Sequence, residues 1–284
     1  MASALAAGTL TLVDDLVLTR MGYGAMQLPG PGVFGPPRDR DEAIAVLREA
    51  VELGIRHIDT ADYYGPEVSN ELIREALYPY PDDLRIITKV GGVRGDDASW
   101  IMRRGRDDLI ASVHRNLDQL RVEALDAVNL RLGGHEGPTD ESIAEWFGPL
   151  VDLQQQGLIR HLGISEATDS QLTEAQGMAP VVTVQNHYNL VHRDDDALVD
   201  RCAREGIAFA PYFPLGGFTP LQSSELDRIG ATPQQTALAW LLQRSPTIVV
   251  IPGTSSVAHL RENVAAAEIE LSEEDVRELD AIGA

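Results

Sequence analysis

Eight short apolar runs of strand character recur along this chain of 284 residues, and amphipathic segments with helical spacing separate most of them. The runs lie at residues 20–24, 55–59, 85–90, 124–130, 159–164, 181–185, 207–210 and 247–251. The amphipathic segments lie at residues 41–54, 107–120, 140–156, 194–205, 232–244 and 257–267. Consecutive runs begin roughly 20 to 40 residues apart, which is the length of one βαβ unit. A chain with this repeat can bury its strands in a parallel sheet that helices cover.

The regular series favours an α/β fold, a (β/α)8 TIM barrel, over an open doubly wound sheet. No GxGxxG motif follows the first run, so the usual sign of a dinucleotide-binding Rossmann domain is absent. No linker rich in Pro, Gly or Ser interrupts the series, and residues 1–284 are expected to form a single domain. Alternating apolar residues at 9–13 and 16–18 predict an N-terminal β-hairpin, and an extra helix is expected at the C-terminus.

The charge balance restricts the class of partner. The chain has 44 acidic and 23 basic residues and a net charge of -21, which disfavours nonspecific binding to nucleic acid or to anionic lipid. No stretch is apolar and long enough to cross a membrane. The single cysteine, Cys202, excludes an internal disulfide and offers no cysteine-based metal site, so no metal is expected. A cytoplasmic protein, a monomer or a small homo-oligomer, is the expectation.

Charged and phenolic residues stand where two neighbouring runs end. Asp59 ends the second run, Tyr64 follows five residues later, and Lys89 lies at the end of the third run. In a barrel, chemistry belongs at these carboxyl ends of strands. The acid and the ammonium can pair there, and the pair is expected to lower the pKa of the tyrosine. A tyrosine tuned in this way can donate a proton to a carbonyl oxygen.

The segments HIDTADYYG, ITKV and IPGTSSVAHLRENVAA resemble the aldo-keto reductases, and the resemblance runs from about Thr9 to the C-terminal helix. It implies a barrel that binds NAD(P)H across its mouth, with an Asp, a Tyr, a Lys and usually a His as catalytic residues. Matching positions assign Asp59, Tyr64 and Lys89 to three of these roles, with Tyr63 as the competing phenol. The implied reaction passes a hydride to an aldehyde or ketone while Tyr64 acts as the general acid.

The fourth catalytic position departs from the family pattern. Relatives read like DLYLLH where this chain reads DAVNLR, so Arg131 replaces the usual histidine. An arginine does not exchange protons at neutral pH, but its charge and donors can polarise a carbonyl, hold Tyr64 partly ionised or bind an anionic oxygen. The alternative is an Arg131 that turns outward as a surface ion pair. His135, in the nearby GGHE loop, is interpreted as an exposed loop histidine.

The resemblance also implies cofactor contacts by position. Ser165 and Glu166 end the fifth run, where relatives carry Ser-Asn for the carboxamide, so Glu166 replaces an amide with an anion. Residues 253–256 lead into a helix whose N-terminus is expected to offer free backbone N–H groups to a phosphate. The expected cofactor contacts are Gly24, Ala25, Met26, Asp59, Ser165, Glu166, Gln185, Tyr212, Phe213, Pro214, Leu215, Gly217, Ile251, Gly253, Thr254, Ser255, His259, Glu262 and Asn263. The expected substrate contacts are Tyr23, Tyr64, Trp100 and Arg131.

Details of the motifs indicate which cofactor and substrate to expect. His259 takes the place where many relatives bind the adenosine 2′-phosphate with arginine, and with Ser255 and Arg261 it favours NADP(H) over NAD, although Arg261 is better interpreted as a solvated helix charge. The segment 222–231 is short for the subgroup and predicts an open cofactor site. VNLRLGG and PLGGFTPLQSS resemble a bacterial subgroup that includes NADPH-dependent pyridoxal reductases.

Aromatic residues make up only 5% of the chain, and most of them are expected at the barrel mouth. Their concentration there predicts a pocket for flat rings, although such residues can also merely cap a barrel. The expected mouth aromatics are Tyr23, Phe34, Tyr63, Tyr64, Trp100, Tyr188, Tyr212, Phe213 and Phe218.

Two other function classes stay open. One is a catalytically impaired NADP(H)-binding sensor or partner protein, which Arg131 and Glu166 motivate. The other is an aldolase-type barrel with a Schiff base on Lys89, which the cofactor motifs disfavour.

Overall fold

The computed structural model describes residues 2–13, 15–133, 137–216 and 231–283. Its strands are β1 (Thr9–Val13), β2 (Leu16–Thr19), β3 (Tyr23–Gly24), β4 (His57–Asp59), β5 (Arg85–Val90), β6 (Gly92–Arg94), β7 (Trp100–Met102), β8 (Leu125–Arg131), β9 (Ile159–Ser165), β10 (Val181–Gln185) and β11 (Ala208–Phe209). Its helices are α1 (Arg40–Glu52), α2 (Val68–Leu77), α3 (Arg106–Leu120), α4 (Ala144–Gln155), α5 (Asp169–Gln176), α6 (Asp196–Glu205), α7 (Pro233–Arg244), α8 (Val257–Ala265) and α9 (Glu273–Asp280).

Seven parallel strands form one curled sheet in the order β3, β4, β5, β8, β9, β10 and β11. Residues 247–251 join its two edges. Ile248 bridges to Phe209 of β11 on one side, and Val250 bridges to Met21 just before β3 on the other. The (β/α)8 barrel is thereby confirmed. The eighth run closes it through single bridges instead of a regular ladder, because β3 and β11 each offer only two regular strand residues.

Predicted and observed boundaries agree best for the long strands. β5 and β10 begin and end at the predicted residues, whereas the first and seventh runs shorten to two residues each. The apolar pattern does not predict α2 and α5. The buried face of α2 includes the polar side chains of Ser69 and Asn70, and α5 buries only Gln171, Leu172 and Ala175. Helix α5 therefore lacks the broad apolar stripe by which a sequence pattern is recognised. Helix α2 does carry such a stripe, with Leu72 and Ile73 buried and Val68 and Leu77 packed against the core, but it is only ten residues long.

The predicted N-terminal hairpin is confirmed, and β1 pairs antiparallel with β2. Leu16 and Leu18 of β2 are fully buried in a cluster with Ala127, Val182 and Ala208, which lie near the beginnings of β8, β10 and β11. The hairpin therefore covers the amino ends of the strands and leaves the carboxyl ends at the opposite mouth. The C-terminal helix α9 follows α8, as expected. Within the described ranges, no helix has both the length and the apolar character needed to span a membrane.

Candidate active site

A buried ion pair lies at the mouth of the barrel, where β4 and β5 end. Nζ of Lys89 lies 2.6 Å from Oδ1 of Asp59 and also donates to the carbonyl oxygen of Thr60 at 3.0 Å. The two side chains are only 3% and 5% exposed. From across the barrel, the amide nitrogen of Gln185 at the end of β10 donates to Oδ2 of Asp59 at 2.9 Å. The predicted pairing of Asp59 with Lys89 is confirmed.

Tyr64 lies beside this ion pair with its ring buried, and Nζ of Lys89 is 5.0 Å from the ring centroid. Burial raises the pKa of Tyr64 well above its usual value, the charge of Asp59 raises it further, and Arg131 opposes the change. The expectation of a lowered tyrosine pKa is therefore wrong, because the loss of water and the charge of Asp59 together outweigh the charge of Arg131. The phenol stays protonated at neutral pH, which is the form that a proton donor needs.

Tyr63, the competing phenol, is also buried, and its hydroxyl has no hydrogen-bond partner among the described residues. Its ring meets Tyr64 edge-on at 5.4 Å and Trp100 edge-on at 5.9 Å between centroids. Burial raises the pKa of Tyr63 as well. The ammonium of Lys89 lies over the ring of Tyr64, and this placement favours Tyr64 over Tyr63 as the proton donor.

Arg131 ends β8 and points into the mouth, so the outward ion-pair alternative is wrong. Its guanidinium carbon is 5.9 Å from the ring centroid of Tyr212. Burial alone would lower the pKa of Arg131. Electrostatic interactions with acidic and phenolic groups outweigh the effect of burial and raise this pKa; the groups are Tyr63, Glu166, Tyr212 and Tyr64. The arginine is therefore a permanent cation among tyrosines. His135, its neighbour in sequence, lies outside the described residues.

Glu166 follows β9 in a left-handed backbone conformation with a φ of 56°, and it is only 3% exposed. Its Oε1 accepts a short hydrogen bond from the hydroxyl of Tyr212. Burial and Glu166 raise the pKa of Tyr212, while a hydrogen bond from Arg131 acts to lower it. The arginine, the tyrosine and the glutamate thus form one connected polar group across the mouth. Arg131 and Glu166, which both depart from the family pattern, thus interact with the same side chain, Tyr212.

His187 is a mouth residue that the sequence motifs do not mark. Its ring stacks on His192 at 3.9 Å and on Tyr212 at 5.3 Å between centroids. Burial, together with His192, lowers the pKa of His187 to about 4, so the ring is neutral at pH 7. His187 thus packs against the face of the Tyr212 ring. His187 lies two residues after Gln185, just beyond a strand end, and this position is the signal by which the sequence could have indicated it.

Cofactor contacts are expected at the end of β9 and where the end of β3 meets the loop before α8. Oγ of Ser165 is buried at the end of β9 and has no hydrogen-bond partner among the described residues, a state that a bound group would relieve. A Cβ on Gly24 would lie 2.5 Å from the carbonyl oxygen of Ile251, and a Cβ on Gly253 would lie 2.7 Å from the carbonyl oxygen of Gly24. The end of β3 and the loop before α8 therefore pack backbone against backbone, and both positions require glycine.

The N-terminus of α8 differs from the expectation of free N–H groups. The backbone N–H of Val257 donates to a carboxylate oxygen of Glu42 at 2.9 Å, and the N–H of Ser256 donates to Oγ1 of Thr254 at 3.1 Å. A carboxylate of the chain itself thus occupies part of the predicted phosphate site. On the same helix His259 is exposed, and Arg261 pairs with Glu49 at 2.7 Å on the surface, in agreement with its interpretation as a helix charge.

Two predicted mouth aromatics are fully buried. Tyr23 is fully buried, and its hydroxyl donates to the carbonyl oxygen of Thr254 at 2.7 Å, so it presents no surface to a substrate. Tyr188 stacks on Trp240 and donates to Asp196 at the start of α6, so it belongs to the packing outside the barrel. Trp100 of β7 is 40% exposed at the mouth. Gly217, Phe218 and nearly all of the segment 222–231 lie outside the described residues.

The remaining expected cofactor contacts follow strand ends or lie on α8. They are Ala25, Met26, Phe213, Pro214, Leu215, Thr254, Ser255, Glu262 and Asn263. Of these, Asn263 and Thr254 are buried and Ser255 is exposed. In the part of the chain that the structure describes, no group of three or more His, Cys, Asp or Glu side chains is placed to hold a metal ion.

Comparison with known proteins gives consistent similarities over nearly the whole chain. The chain is 57% identical to pyridoxine 4-dehydrogenase of Escherichia coli K12, over 98% of this chain and 99% of that protein. It is 42% identical to an uncharacterized oxidoreductase of Schizosaccharomyces pombe, over 98% and 90% of the two chains.

Among solved structures, a thermostable aldo-keto reductase in complex with the inhibitor epalrestat is 32% identical, with a TM-score of 0.78 over 95% of this chain and 97% of that one. An aldo-keto reductase of Klebsiella pneumoniae in complex with NADPH is 22% identical, with a TM-score of 0.80 over 100% and 95% of the chains, and it supports the fold alone. Residues 20–228 and 224–284 match the aldo/keto reductase family. The chain therefore belongs to the aldo/keto reductase family and is an oxidoreductase that acts on carbonyl and alcohol groups.

Proposed function

We propose that this protein is an NADP(H)-dependent carbonyl reductase that interconverts pyridoxal and pyridoxine. The observation that carries the chemistry is a buried, protonated Tyr64 beside the Lys89–Asp59 ion pair. The choice of substrate is supported by the 57% identity to a protein named pyridoxine 4-dehydrogenase. It is also supported by the exposed ring of Trp100 at the mouth, which suits a flat aromatic aldehyde.

The side chains around Ser165 fit the nicotinamide end of the cofactor. When bound, NADPH supplies a hydride to the carbonyl carbon. Ser165 offers a hydroxyl that no other described group engages, and it can donate to a carboxamide oxygen. The amide nitrogen of Gln185 is committed to Asp59, so its carbonyl oxygen is the group that can accept from a carboxamide nitrogen. Tyr212 offers a ring held by Glu166 and His187.

The proton is delivered by Tyr64 to the carbonyl oxygen of the substrate. Lys89, held by Asp59 and by Thr60, places a positive charge over the face of the tyrosine ring. As the phenol gives up its proton, this charge stabilises the phenolate that forms. Arg131 supplies a second fixed cation, which stabilises negative charge on the substrate oxygen in the transition state. Tyr63 and its neighbour Tyr64 are both buried, so bulk water has little access to the proton.

The preference for NADP(H) over NAD belongs to the same proposal. His259 and Ser255 are exposed around the start of α8, where a 2′-phosphate can reach them. We also propose that the protein is cytoplasmic and is a monomer or a small homo-oligomer. Light scattering of the purified protein would determine its oligomeric state.

The test is to incubate the protein with NADPH and either pyridoxal or one of a panel of aromatic and aliphatic aldehydes. The loss of NADPH absorbance measures its oxidation. We expect NADPH to be consumed with pyridoxal, pyridoxine to form in equal amount, and the reverse reaction to run with NADP⁺ and pyridoxine. A flat trace with every carbonyl compound would overturn the proposal.

The second candidate is a catalytically impaired NADP(H)-binding sensor, which the replacement of the usual histidine by Arg131 favours. It predicts a change in NADPH fluorescence on binding together with negligible turnover of all the aldehydes tested.

A further inference from the structure

Arg94 has no role in the proposed mechanism, and it lies in the same hairpin as Trp100. β6 and β7 pair antiparallel just after β5, and Arg94 stands directly opposite Trp100 in the register. The guanidinium carbon of Arg94 is 3.9 Å from the ring centroid of Trp100 and 5.5 Å from that of Phe34. Phe34 belongs to the loop after β3. One guanidinium therefore contacts rings from two separate loops of the barrel mouth.

The same guanidinium binds the backbone of both loops. Its Nη1 donates to the carbonyl oxygen of Val33 at 2.8 Å, and its Nη2 donates to Gly32 at 2.9 Å and to Ala98 at 2.6 Å. Val33 and Ala98 both adopt left-handed backbone conformations, with φ of 59° and 63°. Such conformations are unfavourable for residues with a β-carbon and persist where the surroundings hold them. Arg94 holds the carbonyl group of each.

The loops that Arg94 joins contact the phenols of the site. Val33 is 4% exposed and packs in one cluster with Tyr63 and Tyr64. From the other loop, the ring of Trp100 meets Tyr63 edge-on at 5.9 Å. Trp100 itself is 40% exposed. The two loops thus contact the phenols from two directions, and Trp100 presents an exposed indole ring beside them.

We propose that Arg94 is a positioning residue that sets substrate selectivity. By joining the loop at 30–35 to the β6–β7 hairpin, it holds the ring of Trp100 as a flat wall and so favours aromatic over small aliphatic aldehydes. Its planar, forked guanidinium is essential, because a lysine ammonium cannot stack on two rings and reach three carbonyl groups. The choice of substrate in this inference rests on the proposed function, whereas the order of the wall can be measured without turnover.

The kinetic test compares Arg94→Ala and Arg94→Lys with Arg103→Ala. Arg103 lies just beyond the same hairpin, is exposed, and makes no side-chain hydrogen bond or ion pair within the described ranges. Arg103→Ala therefore removes one positive charge, as Arg94→Ala does, without breaking such a contact. For both Arg94 variants we expect the KM for pyridoxal to rise about tenfold while kcat stays within about threefold. The KM for propanal should stay within about twofold, and Arg103→Ala should behave as the wild type. An unchanged ratio of aromatic to aliphatic kcat/KM in both Arg94 variants would overturn the inference.

The second readout is acrylamide quenching of tryptophan fluorescence, which needs no activity. We expect quenching to increase in Arg94→Ala and in Arg94→Lys, and the increase to vanish when Trp100 is replaced by Phe in the same variants. Unchanged quenching in both variants would show that Arg94 does not hold Trp100. If the wild type reduces no aldehyde, the proposed function fails, but quenching still tests whether Arg94 holds Trp100. Arg94→Lys serves if Arg94→Ala does not fold.

Discussion

Nζ of Lys89 lies 2.6 Å from Oδ1 of Asp59, and both side chains are almost fully removed from solvent. The attraction inside such a pair is offset by the cost of removing both charges from water, so the pair adds little net stability. The loss of one partner is different, since it leaves the other charge buried and uncompensated. The pair is therefore a site where single and double substitutions should differ.

Lys89→Met should lower the free energy of unfolding by about 3–5 kcal/mol, because it leaves the carboxylate of Asp59 with only the amide of Gln185 and no cation. The double variant Lys89→Met with Asp59→Asn should recover part of this loss. Urea unfolding at pH 7 measures the wild type, the single variants Lys89→Met and Asp59→Asn, and the double variant. A double variant whose loss equals the sum of the two single losses would contradict the buried ion pair.

Tyr64→Phe should lower kcat by about 10²- to 10⁴-fold, which is the contribution of a positioned proton donor. NADPH affinity, measured by fluorescence, should be unchanged, because the proposed cofactor contacts do not use this hydroxyl. Tyr63→Phe is the matched control. Its hydroxyl is buried without a partner among the described residues, so its removal should preserve turnover and leave stability equal or higher by about 1 kcal/mol. The reverse pattern of activities would assign the proton donor to Tyr63.

Arg131→Leu should reduce kcat by about 100-fold, which is typical for the loss of one preorganised group that stabilises charge in the transition state. Arg131→Lys should retain part of the rate, because lysine keeps the positive charge but lacks the planar set of hydrogen-bond donors of the guanidinium. Steady-state kinetics with pyridoxal measure the rates, and NADPH fluorescence controls for binding. Full activity in Arg131→Leu would show that this arginine only balances the charge of Glu166.

Asp62 makes a pH-dependent contribution to stability. Its Oδ2 accepts from Ser112 at 2.8 Å and from Arg115 at 3.1 Å, while its Oδ1 is buried without a partner among the described residues. Burial raises the pKa of Asp62 from 3.8 to about 6. Between these values the folded state holds a proton that the unfolded state has lost. The contribution of Asp62 is therefore most favourable below pH 4 and is lost as the pH rises through 6.

Asp62→Asn removes this titration, so the wild type should lose stability relative to the variant between pH 4 and pH 7. The change should be on the order of 1–3 kcal/mol, as expected for a shift of about two pKa units. Urea unfolding of both proteins at several pH values measures it. A difference between the two that stays constant, or that changes in favour of the wild type as the pH rises, would contradict the raised pKa.

Parts of the site could be placed from the chain alone. Strand ends meet at one mouth of a parallel barrel, so Asp59, Lys89, Gln185 and Arg131 could be brought together once the strands were recognised. Where side chains point could not be predicted in the same way. Tyr188 follows a strand end in sequence, yet it packs outside the barrel because the chain turns there toward α6.

Local pattern by itself determined the architecture, since the period of the apolar residues decides which segments bury as strands and which cover them as helices. The spacing of Asp59, Tyr64 and Lys89 likewise determined the pairing of the two charges. Only the tertiary structure decided the ionisation of Tyr64, because burial depends on every loop that covers the mouth. It also decided the contact of Glu166 with Tyr212, and of Arg94 with Val33. These pairs lie far apart in the chain, and folding alone brings them within hydrogen-bond distance.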